Sequence, residues 1–259
     1  MSDEVLMLVR EGVAWITINR PASMNAINNA VREGLPRLLD QAQADRAVRV
    51  VVVQGAGPKA FCAGADISEF TTVNSLAQDR QRRVHQHWVS GFDRIRKPTI
   101  ASIHGYCLGG GLEIALSCDI RIGAENALFG FPETGLGILP AAGGTQRASR
   151  VLGLGQALDL VLSGERIDAA HALRIGLISR LCSVDALPAQ TQALAERLAG
   201  KPPLAMEMAK EAVHQGHEMS LTAGLRLEAD LQSLLLNTED RLEAAAAFRE
   251  KRAPIFTGQ

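Results

Sequence analysis

In the first half of the chain, short apolar runs predict a series of β-strands. Residues 5–9 and 13–19 are two such runs separated by Glu11-Gly12, a spacing typical of a β-hairpin. Residues 48–53 are almost all β-branched, which indicates a strand that is buried on both faces. Further strands are predicted at residues 99–103, 120–122 and 127–129.

Between these runs, apolar residues recur at the spacing of helices. One helix is predicted over residues 28–42, with Asn28 as its N-cap and with Pro36 expected to kink or shorten it. A second is predicted over residues 84–95. From Gly143 onward the chain is predicted to be almost wholly helical, with helices at residues 145–152, 156–162, 169–175, 188–199, 204–215, 221–236 and 239–251. Strands alternating with helices, followed by helices alone, favour an α/β core with a helical C-terminal layer.

Composition narrows the possible functions. The chain has 259 residues, of which 47% are hydrophobic and 21% charged, as in an ordinary soluble globular protein. Its formal net charge of −1 gives no electrostatic reason to expect nucleic acid or an anionic membrane as a partner. No apolar run approaches the ~20 residues that span a bilayer, and the acidic N-terminus does not resemble a signal peptide. The four cysteines have no paired short spacing, so we expect a reduced, cytoplasmic protein.

Two segments rich in small residues are predicted to join a strand to a helix. One is Phe61-Cys62-Ala63-Gly64-Ala65-Asp66-Ile67, with a helix expected to begin near Ala65, and the other is Gly109-Gly110-Gly111-Leu112-Glu113. Free N–H groups at a helix N-terminus, reinforced by the helix dipole, stabilise an anion. Two such groups directed at one carbonyl oxygen would form an oxyanion hole. Taken singly, each segment could equally be an ordinary tight turn.

Two glutamates are candidates for proton transfer. Glu113 lies in the first turn of its predicted helix, and Glu133 follows twenty residues later in a loop. Two carboxylates that converge on one pocket can divide the acid and base roles or hold a water, provided that burial raises the pKa of at least one. The spacing alone also allows a simpler interpretation, in which Glu113 complements the helix dipole and Glu133 is a solvated loop acid.

Two other patterns in the sequence could indicate ligand sites. Gly55-Ala56-Gly57-Pro58-Lys59-Ala60 follows a strand and fits the dinucleotide-binding fingerprint. A Rossmann site is not favoured, because Pro58 and a second glycine loop intervene before any helix. His85 and His87 are too close in sequence to share one helix face, so no metal site is predicted.

Several short motifs occur together along the chain. They are Asn19-Arg20-Pro21 with Asn25-Ala26, residues 61–69, Lys97-Pro98, Gly105-Tyr106, residues 109–113, Cys118-Asp119, Pro132-Glu133, Gly137, Pro140, residues 143–147 and residues 248–252. In these motifs, over nearly its whole length, the chain resembles the crotonase (enoyl-CoA hydratase/isomerase) superfamily. The resemblance implies an α/β fold with a ββα superhelical core, residues 1–200, that carries the CoA and active site. Residues 201–259, which begin with a linker at Lys201-Pro202-Pro203, would be a C-terminal helical region that forms trimers, commonly paired into hexamers.

The resemblance also implies the roles of the central residues. The backbone N–H groups of Ala65 and Gly110 would donate to the thioester oxygen. Glu113 and Glu133 occupy the two glutamate positions that are typical of the hydratases.

For coenzyme A, the resemblance implies a second set of residues. Ala63, Asp66 and Ile67 would lie against the adenine end of coenzyme A. Lys251 matches a tail lysine that, in relatives, approaches the CoA phosphates, sometimes those of a neighbouring subunit.

The implied reaction is the reversible addition of water to a 2-trans-enoyl-CoA, which gives a 3-hydroxyacyl-CoA and needs no separate cofactor. Fatty-acid β-oxidation is one pathway that this reaction would serve, and the degradation of amino acids or of aromatic compounds stays open, because the motifs do not define the acyl group. One alternative is a Δ3-Δ2-enoyl-CoA isomerase, which needs only one carboxylate. The other is a non-catalytic acyl-CoA-binding subunit. The presence of both Glu113 and Glu133 favours the hydratase.

Overall fold

The computed structural model describes residues 3–69 and 88–259, which form two β-sheets surrounded by helices. The strands are β1 Val5–Arg10, β2 Val13–Ile18, β3 Val50–Gly55, β4 Ala60–Cys62, β5 Thr99–Ile103, β6 Tyr106–Leu108, β7 Ile120–Ala124, β8 Leu128–Gly130, β9 Ile167–Asp168 and β10 Arg180–Cys182. The α-helices are α1 Asn29–Ala44, α2 Ser90–Arg94, α3 Gly110–Ser117, α4 Gly144–Leu152, α5 Leu154–Ser163, α6 Ala169–Arg174, α7 Leu187–Ala199, α8 Pro203–His217, α9 Leu221–Leu235 and α10 Glu239–Glu250.

From β3 to β8, successive strands alternate between two sheets. The six-stranded sheet has the order β1-β2-β3-β5-β7-β10, in which only β1 is antiparallel to its neighbour. The four-stranded sheet has the order β4-β6-β8-β9, with β9 antiparallel to β8. The pairs β3–β4, β5–β6 and β7–β8 each give one strand to each sheet. This repetition is the ββα architecture that the resemblance implies, and it confirms the α/β prediction.

The central strand β3 is buried on both faces, as its β-branched sequence predicts. Val51 and Val53 belong to the main core, whereas Val50 and Val52 pack in a second cluster that includes Leu194 of α7. All four valines are 0% exposed. The strand is therefore fixed from both sides, and so is the loop at its carboxyl end.

Helix α1 begins at the predicted cap but does not end at Pro36. The Asn28 side chain accepts a hydrogen bond from the helix backbone, and the helix then runs without interruption to Ala44. The prediction that Pro36 shortens it is wrong. Proline inside a helix costs ~3 kcal/mol or more, but burial of a leucine contributes about 1.5–3 kcal/mol. Three leucines on this helix are buried, at positions 35, 38 and 39.

The region after β3 differs from its prediction. The helix expected near Ala65 is absent, and the chain instead forms the short strand β4, an extended segment and a 3-10 helix at Ile67–Glu69. The seven helices predicted after Gly143 are all present, within two residues at each end, and the two short strands β9 and β10 interrupt them. Of the helix predicted over residues 84–95, only α2 lies in the described part. His85 and His87 lie outside it.

The C-terminal helices are tied to the core by polar contacts. Lys210 of α8 donates to the Lys97 carbonyl at 3.0 Å and lies 2.8 Å from the Asp119 carboxylate. The division of the chain at residue 201 stays a prediction.

None of the described helices is long and apolar enough to cross a membrane. The four cysteines are buried and free, as small core residues.

Candidate active site

The second glycine segment places a free N–H group at the start of α3. Gly109 has φ 51° and ψ −124°, a conformation that side chains disfavour, and its N–H is anchored to the Gly130 carbonyl of β8 at 2.9 Å. The helix begins at the next residue, Gly110. Within the described ranges no acceptor takes the Gly110 N–H, so this donor is available to a ligand.

The first glycine segment presents an N–H group by a different route. Ile27 forms an isolated parallel bridge with Ala65, in which its N–H donates to Gly64 (2.8 Å) and its carbonyl accepts from Asp66 (3.0 Å). These bonds use the backbone on either side of Ala65, so the Ala65 N–H points away from the bridge. It has no acceptor among residues 3–69 and 88–259. The sequence predicts this donor at the N-terminus of a helix, whereas the structure places it in an extended segment and the predicted helix is absent.

Close backbone packing brings the two segments together. A Cβ placed on Gly111 would lie 2.1 Å from the Cys62 carbonyl oxygen, and one placed on Gly64 would lie 3.5 Å from the Gly110 nitrogen. A Cβ on Gly110 would lie 3.8 Å from the Ala65 nitrogen. The glycines therefore allow both free N–H groups to reach one small region, as an oxyanion hole requires.

Glu113 is buried beside this region, with one of its carboxylate oxygens fully engaged. Its Oε1 accepts hydrogen bonds from Ala142 (2.7 Å) and Gly144 (2.8 Å), at the N-terminus of α4. Burial raises the pKa of Glu113, against the lowering effect of these bonds and of the nearby Arg147 charge. The other oxygen, Oε2, lies on the side of Gly110, 3.8 Å from where a Cβ on that residue would stand. It is the oxygen that remains for substrate or water.

Glu133 approaches the same glycines from the 3-10 helix at Pro132–Leu136. Its Oε1 would lie 2.7 Å from a Cβ on Gly109. Its Oε2 is buried without a hydrogen-bond partner in the part of the chain that the structure describes. Burial raises the pKa of Glu133 to about 7, and the negative charge of Glu113 adds to the rise. A carboxyl with such a pKa exchanges its proton readily near neutral pH.

The arrangement can stabilise an oxyanion and move protons beside it. The free N–H groups of Ala65 and Gly110 converge, and two carboxylates lie beside Gly109 and Gly110, each with one oxygen that has no hydrogen-bond partner among the described residues. The described residues contain no group of three or more metal-binding side chains. The stretch from Gly55 to Ala60 joins β3 directly to β4, so it does not open a helix and offers no dinucleotide site of the Rossmann type.

The predicted CoA residues are placed unequally. Ala63 is partly buried, and Ile67 is 67% exposed at the start of the 3-10 helix. The Asp66 carboxylate is bonded to Arg20 and Ser68. Lys251 ends α10 with φ 54°, and none of the described hydrogen bonds or ion pairs joins it to this loop. Ala63, Asp66 and Ile67 therefore belong to one loop, and none of the described hydrogen bonds or ion pairs links Lys251 to it.

The sequence analysis assigned no role to Asn25, which holds the connection between β3 and β4. Asn25 is 0% exposed with φ 57°. Its side chain donates to the carbonyls of Ala56 and Ala60 and accepts from the Arg20 N–H. The signal was present, since Arg20 and Asn25 belong to the motifs listed above, but no chemical role followed from their spacing.

Comparison with known proteins agrees with this geometry. The chain matches the enoyl-CoA hydratase/isomerase family over residues 9–259. It is 41% identical to the 2,3-dehydroadipyl-CoA hydratase of Escherichia coli strain K12, over 99% of each chain, and 38% identical to the short-chain-enoyl-CoA hydratase of Clostridium acetobutylicum, over 95% of each. The crystal structure of enoyl-CoA hydratase from Bacillus anthracis is 37% identical, with a TM-score of 0.94 over 99% of this chain and 100% of that one. The resemblance is confirmed, and the chain belongs to the enoyl-CoA hydratase/isomerase family.

Proposed function

We propose that this protein is an enoyl-CoA hydratase, which adds water reversibly to a 2-trans-enoyl-CoA to give a 3-hydroxyacyl-CoA. The observation that carries the proposal is the placement of two carboxylates, Glu113 and Glu133, beside the two free N–H groups of Ala65 and Gly110. The hydratase names of full-length relatives at about 40% identity support the same reaction.

The proposed reaction proceeds through charge on the thioester oxygen. Attack of a water oxygen on C3 breaks the C2–C3 π bond and moves its electrons through C2 to the thioester oxygen. The N–H groups of Ala65 and Gly110 stabilise this enolate-like charge, and one such donor is typically worth roughly 3–4 kcal/mol of barrier. A proton is then delivered to C2. No separate cofactor enters these steps.

The environments of the two carboxyls assign their roles in hydration. Two backbone N–H groups and the end of α4 favour the ionised form of Glu113, so it takes the proton of the attacking water through Oε2. Glu133, with its pKa raised to about 7, is about half protonated at neutral pH, and its protonated form delivers the proton to C2. In dehydration the roles are exchanged.

The activity is expected to follow a bell-shaped curve in pH. Above about pH 7 Glu133 loses the proton that it must donate, so kcat/KM for hydration falls. On the acidic side it falls when Glu113 is protonated, at a pH above that of an ordinary glutamate because burial raises its pKa. Both directions need one proton shared by the pair, so hydration and dehydration are expected to show the same bell. Initial rates of crotonyl-CoA hydration measured between pH 4 and 9 check this curve, and a kcat/KM that does not fall above pH 7 would contradict the role given to Glu133.

The experiment that tests the function is the loss of enone-thioester absorbance when the purified protein meets crotonyl-CoA. Rapid loss with formation of 3-hydroxybutyryl-CoA is the expected result. No loss, together with conversion of a 3-enoyl-CoA to its conjugated isomer, would instead show an isomerase. Tight binding of CoA thioesters without either conversion would show a non-catalytic binding subunit.

Further features of the protein stay predictions within this proposal. Ala63, Asp66 and Ile67 form the CoA-binding loop, and Lys251 approaches CoA phosphates. The C-terminal helices carry exposed apolar side chains, among them Leu221 and Phe248 at 79% and 87% exposed, which supports assembly as a trimer or a pair of trimers. Sedimentation equilibrium tests the assembly. β-Oxidation and a cytoplasmic location rest on the sequence alone.

A further inference from the structure

We propose that the ion pair between Arg20 and Asp66 positions the first oxyanion donor, the Ala65 N–H, and that Arg20 is therefore a positioning residue for the hydration reaction. The inference rests on the function proposed above, because it assigns a task to a pair of residues within that site.

The two oxyanion donors differ in how they are held. The Gly110 N–H is the first of helix α3, so the helix fixes its direction. The Ala65 N–H belongs to an exposed residue in an extended segment, whose backbone is held by the isolated bridge to Ile27 and by one further hydrogen bond, from Ala63 to Met24. An isolated bridge has few hydrogen bonds to restrain it. The first donor therefore depends on support from outside its own segment.

Arg20 contacts both chain segments that form this bridge. One end of its guanidinium lies 3.0 Å from the Oδ2 of Asp66, the residue directly after Ala65. The other end donates to the Ala26 carbonyl, directly before Ile27. The planar guanidinium fork thus spans the bridge from one segment to the other, a geometry that a lysine ammonium does not reproduce.

The pair is well enough shielded from solvent for this contact to matter. The side chains of Arg20 and Asp66 are 15% and 17% exposed, unlike solvated surface pairs that contribute little. Asp66 is further fixed by Ser68, whose hydroxyl donates to Oδ1 at 2.7 Å. The bonds from Ser68 and then Arg20 lower the pKa of Asp66, so it stays ionised at neutral pH. The third nitrogen of the Arg20 guanidinium, Nε, lies 3.5 Å from the Oε1 of Glu4.

The network also changes the role expected for Asp66. Both of its carboxylate oxygens already accept hydrogen bonds from the protein, one from Arg20 and the other from Ser68. The side chain therefore organises the loop. A contact between this loop and CoA is left to its backbone and to the neighbouring residues Ala63 and Ile67.

The test compares four variants with the wild-type protein: Arg20→Met, Arg20→Lys, Asp66→Asn and the double variant Arg20→Met with Asp66→Asn. Arg20→Met is expected to lower kcat about 10- to 100-fold, because small misplacements of a catalytic group have effects of this size. KM is expected to rise by a smaller factor. Arg20→Lys keeps the charge without the fork, so its kcat should be intermediate. The double variant should be no slower than Arg20→Met alone, since the two residues act as one unit.

A spectroscopic readout separates positioning from general destabilisation. Acetyl-CoA labelled with ¹³C at its carbonyl cannot be hydrated, and its carbonyl stretch falls in frequency when donors polarise the bond. The wild-type protein is expected to show this fall, and Arg20→Met a smaller one. The readout does not require hydratase activity, so failure of the proposed function and failure of this inference are distinguishable.

Asp40→Asn is the matched control, because Asp40 forms a bidentate ion pair with Arg94 that joins α1 to α2 away from the site. It is expected to leave kcat and the carbonyl frequency unchanged. The inference is overturned if folded Arg20→Met keeps the wild-type kcat and carbonyl frequency. If Arg20→Met does not fold, Arg20→Lys and Asp66→Asn decide by the same two measurements. Wild-type values in both of these variants would equally refute it.

Discussion

Glutamine at position 113 is expected to lower kcat for the hydration of crotonyl-CoA by about 10²- to 10⁴-fold, the range for loss of one acid–base group. The substitution removes the base that deprotonates water but leaves the surrounding structure intact. The amide oxygen of a glutamine can still accept the hydrogen bonds from Ala142 and Gly144 that Glu113 Oε1 accepts now. Its amide nitrogen then takes the place of Oε2, which is the oxygen that faces Gly110.

Because glutamine can keep these hydrogen bonds, Glu113→Gln tests the chemistry of the site and not the folding of the protein. The melting temperature and the affinity for acetyl-CoA should stay close to the wild-type values, because the charge that is lost is a buried one with a raised pKa. Stopped-flow absorbance with crotonyl-CoA measures the rate. A variant that keeps the wild-type kcat would remove Glu113 from the mechanism, whereas loss of acetyl-CoA binding would indicate a structural role instead.

The extent to which the sequence predicts the fold varies with the length of the element. The predicted and observed bounds agree closely for long, strongly patterned elements such as β3 and the C-terminal helices, because burial of their apolar residues determines whether these elements form. Of the five described strands with only two or three residues, β8 was predicted, whereas β4, β6, β9 and β10 were not. They are defined by pairing with distant neighbours, as β4 is with β6, and a pattern this short has no periodicity to detect.

The candidate site shows the same limit at the level of single residues. Glu113 and Glu133 could be singled out as candidates, and the resemblance identified Ala65 and Gly110. How the Ala65 N–H becomes free could not be predicted, because the bridge to Ile27 joins segments far apart in sequence. The raised pKa of Glu133 likewise depends on burial and on Glu113, neither of which the spacing of the two residues reveals.

Pro36 illustrates how tertiary packing overrides a local rule. The penalty for proline inside a helix is a property of the residue, and it can be applied to any sequence. The compensation is the burial of the leucines of α1 in the main core, which depends on the whole fold. A local rule of this kind therefore predicts a cost correctly without predicting whether the structure tolerates it.

The second large effect is expected for Glu133→Gln, which should also lower kcat for hydration by about 10²- to 10⁴-fold. The reason differs from that for Glu113. Here the lost group is the one that carries a proton to C2, with a pKa near 7 that suits transfer in either direction. Glu113 keeps its hydrogen bonds from Ala142 and Gly144 in this variant, and these bonds still favour its ionised form.

A reaction that needs only one of the two carboxyls distinguishes the role of Glu113 from that of Glu133. Butyryl-CoA has no double bond to hydrate, but its C2 proton can exchange with deuterium from the solvent if a base removes it while Ala65 and Gly110 stabilise the enolate. Since Glu133 is the group assigned to C2, Glu133→Gln is expected to abolish this exchange and Glu113→Gln to retain it, as followed by NMR in D₂O. Exchange that survives in Glu133→Gln and disappears in Glu113→Gln would reverse the two assignments. Loss of exchange in both variants would mean that the two carboxyls act only as a pair. This is the closest competing mechanism, because the pair shares a single proton at neutral pH.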